Sequence, residues 1–206
     1  MTNQPHKSRI IRVGDPRNHL YSDPLPARTE HASVPALKPR VNQPPPNVVG
    51  KLSFLVIHCS LTPIGMTVTG DMIKEWHMGP PPNRGWSRVG YSELVHQDGK
   101  IELLVPYDDD HYVETDEYTF GVLGKNYISR HVCVIGGQDN DKNQADTLTI
   151  PQYEALRRYC HEFVRKQPQA RIAGHYQVYD NRTCPNFDVP FYLELMQIPK
   201  NSIFYG

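Results

Sequence analysis

From Leu52 onward the chain alternates between short apolar runs and longer stretches with a helical repeat. Phe54-Leu55-Val56-Ile57 is a continuous apolar run of strand length that ends in His58-Cys59-Ser60. That pattern predicts a buried central strand whose C-terminal end meets a polar site. Met72, Ile73, Trp76 and His77 share one helical face after Thr69-Gly70-Asp71, with Asp71 expected to cap the helix and Pro80-Pro81-Pro82 to end it. Gly90–His96 and Lys100–Val105 flank Gln97-Asp98-Gly99, a strong hairpin signal. Val132-Cys133-Val134-Ile135, closed by Gly136-Gly137, predicts another core strand. Thr149–Lys166 is the clearest amphipathic helix: Thr149 caps it, Pro151 sits early, and Tyr153, Leu156, Tyr159, Cys160 and Phe163 form its apolar stripe. Arg171–Gly174 is a last short strand delivering His175, and Val189–Met196 a closing helix. The sum is an α/β fold, a mixed central β-sheet flanked by helices.

Residues 1–49 read differently. Proline recurs there, ending in Pro44-Pro45-Pro46, and apolar periodicity is poor. The expectation is an extended Pro-rich arm or linker ahead of one domain at 50–206. A length of 206 residues suits a single full core with such an extension. With 22 basic and 22 acidic side chains the charge is balanced, which argues against nucleic acid or an acidic membrane as partner. No apolar stretch is long enough to span a membrane, and the start Met1-Thr2-Asn3-Gln4-Pro5 lacks a signal-peptide pattern. The protein is therefore expected in a cytoplasm unless another system moves it. Four cysteines allow two disulfides, but that compartment favours thiols or a metal ligand.

Among ten histidines, two stand out by position. His58 and His175 each end a predicted strand, and Cys184 follows nine residues after His175. Two imidazoles and a thiolate from separate elements form a reasonable zinc shell with a fourth position left for water. Blander readings hold elsewhere. Cys59, Cys133 and Cys160 suit small core positions, and His77 suits local packing or bonding. Trp86 reads equally as a sugar-stacking ring or a core closure. Asp188 reads as a helix cap, and Asp108-Asp109-Asp110 as a solvated turn lacking the spacing of a calcium loop.

Taken in order, Val56-Ile57-His58-Cys59-Ser60, Trp76-His77, Gly85-Trp86, Val89-Gly90-Tyr91, Gln97-Asp98-Gly99, Val132–Gly137, Gly174-His175 and Thr183–Asp188 resemble the N-acetylmuramoyl-L-alanine amidase family. T7 lysozyme and the peptidoglycan recognition proteins share that superfamily. The resemblance covers about Leu52 to Tyr192. It implies that fold, peptidoglycan as partner, and a Zn2+ ion held by His58, His175 and Cys184; a monomer is the separate expectation for the chain. It places a catalytic tyrosine on Tyr91 and puts Arg182 where the family has a catalytic lysine. Arginine keeps the charge but transfers no proton at neutral pH. Ser92 and Val122 stand where histidine is common in the family and are expected to line the substrate groove.

The implied reaction is hydrolysis of the amide between N-acetylmuramic acid and L-alanine. Zinc lowers the pKa of water to roughly 7, and Tyr91 and Arg182 would stabilise the developing oxyanion. Glu93, two residues from Tyr91, shares its face if both lie on one strand and would act as a base or orient a ligand. The leading expectation is a phage endolysin, made in a bacterial host's cytoplasm and acting on the wall after release. A muropeptide-recycling amidase and a non-catalytic peptidoglycan-binding module are the alternatives. Binding modules of this superfamily typically lose the cysteine that Cys184 supplies here.

Overall fold

The computed structural model describes residues 47–206. In chain order the elements are β1 (Val48–Lys51), β2 (Phe54–Cys59), β3 (Thr62–Pro63), α1 (Gly70–Met78), β4 (Glu93–Val95), β5 (Ile101–Leu103), β6 (Tyr112–Glu114), β7 (Ser129–Val134), β8 (Gly137–Gln138), α2 (Ile150–Lys166), β9 (Arg171–Gly174), the single turn α3 (His175–Val178) and α4 (Val189–Leu195). The central sheet has the order β5-β4-β7-β2-β9. Four of its strands run parallel, and β5 closes one edge antiparallel to β4 through the Asp98-Gly99 turn. The expected mixed sheet with flanking helices is the one observed. Among the described residues no helix is long and apolar enough to cross a membrane.

Strand alternation gives the sheet two unlike faces. Leu55, Ile57, Val132, Val134 and Ile172 point to one side, where Tyr153, Leu156, Cys160 and Phe163 of α2 and Tyr192 and Leu193 of α4 cover them. Leu94 and Cys133 point to the other, beneath Ile73 of α1 with Val68, Val89 and Ile135. Leu156 is fully buried, so truncation to alanine would cost roughly 2–5 kcal/mol.

Helix α2 is anchored as its sequence suggests. Thr149 Oγ1 accepts the Gln152 N–H while Gln152 Oε1 accepts the Thr149 N–H, a reciprocal cap. Gln152 then donates through Nε2 to the carbonyls of Val95 and Ile135, at 3.0 and 2.8 Å. One buried amide thus ties the helix start to the C-terminal ends of β4 and β7.

One expectation needs correction. The cap of α1 is Thr69, whose hydroxyl accepts the Met72 N–H; Asp71 lies in the first turn. An N-cap must have extended backbone, which Thr69 has, while Asp71 is already helical. There Asp71 can still complement the helix dipole. Strand β1 begins at Val48, and Val48 and Gly50 pair with Glu114 and Val113 of β6. The rest of the expected arm, residues 1–46, lies outside the described residues.

Candidate metal centre

Parallel strands converge their C-terminal ends on one edge of the sheet, where α/β folds place their sites. His58 is the penultimate residue of β2. His175 follows β9 and opens α3. The turn between them is local: Gln177 Oε1 accepts the Gly174 N–H at 2.8 Å. A Cβ at 174 would lie 2.7 Å from the Tyr176 side chain and 2.9 Å from that of Val189, so glycine lets both pack against the turn.

Cys184 comes from the loop after α3. Its carbonyl accepts the Tyr176 N–H at 3.0 Å, and the Asn186 side chain donates to the Gly137 carbonyl at 2.7 Å. The Cys184 Sγ receives the Cys59 N–H at 3.2 Å and lies 3.9 Å from His58 Nδ1. One ligand atom from each of His58, His175 and Cys184 lies within 4.8 Å of the other two. The three residues proposed from the sequence are therefore brought together.

The electrostatics suit a cation. Burial, then the neighbouring His131, His175 and His77, hold His58 well below the usual histidine range. Burial, with the Arg182 charge added, lowers His175 to about 4. Both rings are neutral at physiological pH, as metal ligands must be. The Cys59 thiol and burial push the Cys184 thiol well above its ordinary value. A positive ion would supply what its thiolate lacks. Two imidazoles and a thiolate match the soft, borderline donor set that zinc prefers, so the residues present fit the ion.

Tyr91 joins this group. Its ring centroid is 5.2 Å from that of His58, and burial raises its phenol well above the ordinary value, so the hydroxyl stays a donor. Arg182 is exposed on the loop bearing Cys184, its guanidinium 5.4 Å from the Tyr179 ring. It is close enough to His175 to depress that ring's pKa.

Glu93 does not join it. Tyr91 precedes β4, so the alternation that would have put the two on one face does not extend to residue 91. Glu93 lies in register with Val132 and shares its face with Val95, on the α2 side of the sheet. Burial raises its carboxyl, opposed by the hydroxyls of Tyr159 and Tyr107 and the charge of Arg130. Ser92 and Val122 do not line an open groove either. Both are buried, Val122 among Val56, Ala173 and Val178.

Other local readings are settled by partners. His77 Nδ1 accepts the Gly90 N–H at 3.0 Å and its ring stacks on Trp86 at 5.0 Å. Asp188 caps α4. All four cysteines are free thiols, and Cys59, Cys133 and Cys160 are buried. Asp108 and Asp110 sit with Glu114, the two aspartates accepting backbone N–H groups of their own loop. One residue of the site was missed: His131 of β7, whose Nδ1 lies 3.1 Å from His58 Nε2. It directly precedes the apolar run Val132–Ile135, and nothing local in the sequence signals its contact with His58.

The model of the N-acetylmuramoyl-L-alanine amidase family matches residues 49–187, and the chain belongs to that family. The endolysin of Enterobacteria phage K11 is 33% identical over 137 residues, covering 66% of this chain and 82% of that protein. The endolysin of Escherichia phage T7 is 30% identical over 138 residues, covering 66% and 81%. Among solved structures, the Ph2119 endolysin of a Thermus scotoductus MAT2119 bacteriophage superposes with a TM-score of 0.52 at 22% identity, covering 72% of this chain and 88% of that one. Bumblebee PGRP-SA superposes with a TM-score of 0.55 at 17% identity, covering 77% and 87%. At such identities these two structures bear on the fold alone.

Proposed function

We propose that this chain is a zinc-dependent endolysin that hydrolyses the amide between N-acetylmuramic acid and the L-alanine of the stem peptide. The observation that carries it is the meeting of His58, His175 and Cys184 at the C-terminal edge of the sheet, in a member of the amidase family whose relatives include phage endolysins. His58, His175 and Cys184 would hold the ion, which when bound supplies Lewis acidity and lowers the pKa of water to roughly 7.

The chain's own residues prepare the rest. The neutral rings of His58 and His175 keep lone pairs free for the ion. Tyr91, protonated at any working pH, offers an O–H to the carbonyl oxygen as negative charge builds there. Arg182 adds a permanent cation at the rim. It does not transfer a proton, because a guanidinium keeps its protons at neutral pH. Glu93, on the far face, takes no part in this step. The substrate is the glycan strand with its stem peptide, bound by a monomer. The enzyme meets it after release from the host cytoplasm.

Mass spectrometry of digested sacculi tests the reading, since the new ends identify the bond cut. Free L-alanine amino termini with intact muramic lactyl groups are expected. New reducing sugars, or cleavage within the peptide, would reject it. Activity on soluble muropeptides with none on sacculi would reassign the enzyme to recycling.

A further inference from the structure

We propose that His131 is a positioning residue for the metal centre: it accepts the Nε2–H of His58 and so fixes Nδ1 as the nitrogen that ligates the ion. The inference rests on the metal reading of the site. Strands β2 and β7 pair in parallel with Val56 opposite His131 and His58 opposite Cys133. His58 and His131 therefore share a face of the sheet as diagonal neighbours. Their rings meet edge to face, centroids 5.2 Å apart at 61°, with His58 Nε2 3.1 Å from His131 Nδ1.

The tautomers follow from this contact. His58 turns Nδ1 toward the Cys184 Sγ, 3.9 Å away, and Nε2 toward His131. A neutral imidazole has one N–H and one lone pair. If His58 Nδ1 is to ligate, its proton must be on Nε2, and His131 Nδ1 must receive it. The proton of His131 then lies on its own Nε2. In the opposite arrangement His131 Nδ1 donates, and the His58 proton moves to Nδ1, facing Cys184 and blocking ligation. One arrangement of the pair is competent: an ion on His58 Nδ1 requires it, and His131 supplies the acceptor that the His58 Nε2–H then needs. A ligand histidine held through its second nitrogen is the usual way such rings are oriented.

Packing shows that the position is built for this ring. His131 is completely buried. A Cβ on Gly121 would fall 2.4 Å from its Cγ and Nδ1, so glycine at 121 makes room for the ring edge that carries the acceptor. The other nitrogen, Nε2, is buried with no hydrogen-bond partner among the described residues. An unsatisfied buried N–H weakens a core. An apolar side chain would avoid that cost, so stability alone does not account for a histidine here.

The test compares the wild type with His131→Leu and His131→Asn by zinc competition against a chromophoric chelator. The amide oxygen of asparagine can stand where Nδ1 accepts; leucine offers nothing. Zinc affinity is expected to fall about 10–100-fold in His131→Leu and to stay within several-fold of wild type in His131→Asn. Melting in chelator checks that both variants fold. Wild-type affinity in folded His131→Leu, or equal loss in both folded variants, would overturn the proposal. Should His131→Leu not fold, nitrogen NMR of the zinc-loaded wild type decides. Metal on His58 Nδ1 with a proton on Nε2 is expected, and metal on Nε2 overturns it. A wild type that binds no zinc would instead defeat the metal reading on which the inference stands.

Discussion

His77 gives a measurable link between burial and acid stability. Its ring is 7% exposed, stacked on Trp86 and accepting the Gly90 N–H through Nδ1. Burial, with the nearby Arg84 charge, lowers its pKa to about 4. The unfolded ring binds a proton below about pH 6.5, the folded ring only below about pH 4. Between those values the unfolded state holds more protons, so stability rises with pH and is lost as pH falls. Above about pH 6.5 both states are neutral and nothing is lost. At full weight the difference is about 3 kcal/mol. The Arg84 charge acts from an exposed side chain, and its screening brings the figure to roughly 2 kcal/mol. His77→Asn keeps an acceptor for Gly90 and does not titrate. Urea unfolding of both proteins in chelator, at about pH 7 and about pH 4, isolates the term because the remaining histidines are common to both. The wild type should lose roughly 2 kcal/mol more than the variant. Equal losses would show that the folded ring takes up its proton as readily as the unfolded one.

Arg182→Ala should keep its metal and lose about 10²–10³ in turnover of wall fragments, with Arg182→Lys recovering a good part; normal turnover in Arg182→Ala would remove the residue from the reaction. Glu93→Gln should turn over substrate within about twofold of wild type, because the carboxyl faces α2 and a neutral side chain suits its buried place; a large loss of turnover with the melting point unchanged would return it to the site. Removal of residues 1–46 should leave a folded, active domain, and removal through Lys51 should lower the melting point by deleting the β1–β6 pairing; an unfolded product from the shorter deletion would make the arm part of the domain.

Much of this fold was legible because its strongest elements are buried or capped in ways that leave a local trace. Phe54–Ile57 and Val132–Ile135 announce parallel core strands by unbroken apolar runs. Thr149 and Gln152 announce the start of α2 by their spacing. His58, His175 and Cys184 were legible because each ends an apolar strand or sits in a motif with a family likeness. What failed depends on geometry that sequence does not carry. Thr69 and Asp71 are both good caps, and only the backbone at 69 separates them. Glu93 was placed by extending strand alternation past the start of β4. The strands β1, β3 and β8 are two to four residues long, too short for a period. His131 was invisible as a functional residue because its role arises from the register of β2 against β7, a contact across 73 positions of sequence.

Hydrolysis as proposed requires His58, His175 and Cys184 to hold one ion together. Metal analysis of the purified wild type beside Cys184→Ser tests this most directly, with circular dichroism to confirm that both are folded. One zinc per chain is expected in the wild type and a large loss of zinc in the folded variant, because a hydroxyl replaces the thiolate. Undiminished zinc in Cys184→Ser, or full activity in a wild type stripped of metal, would contradict it.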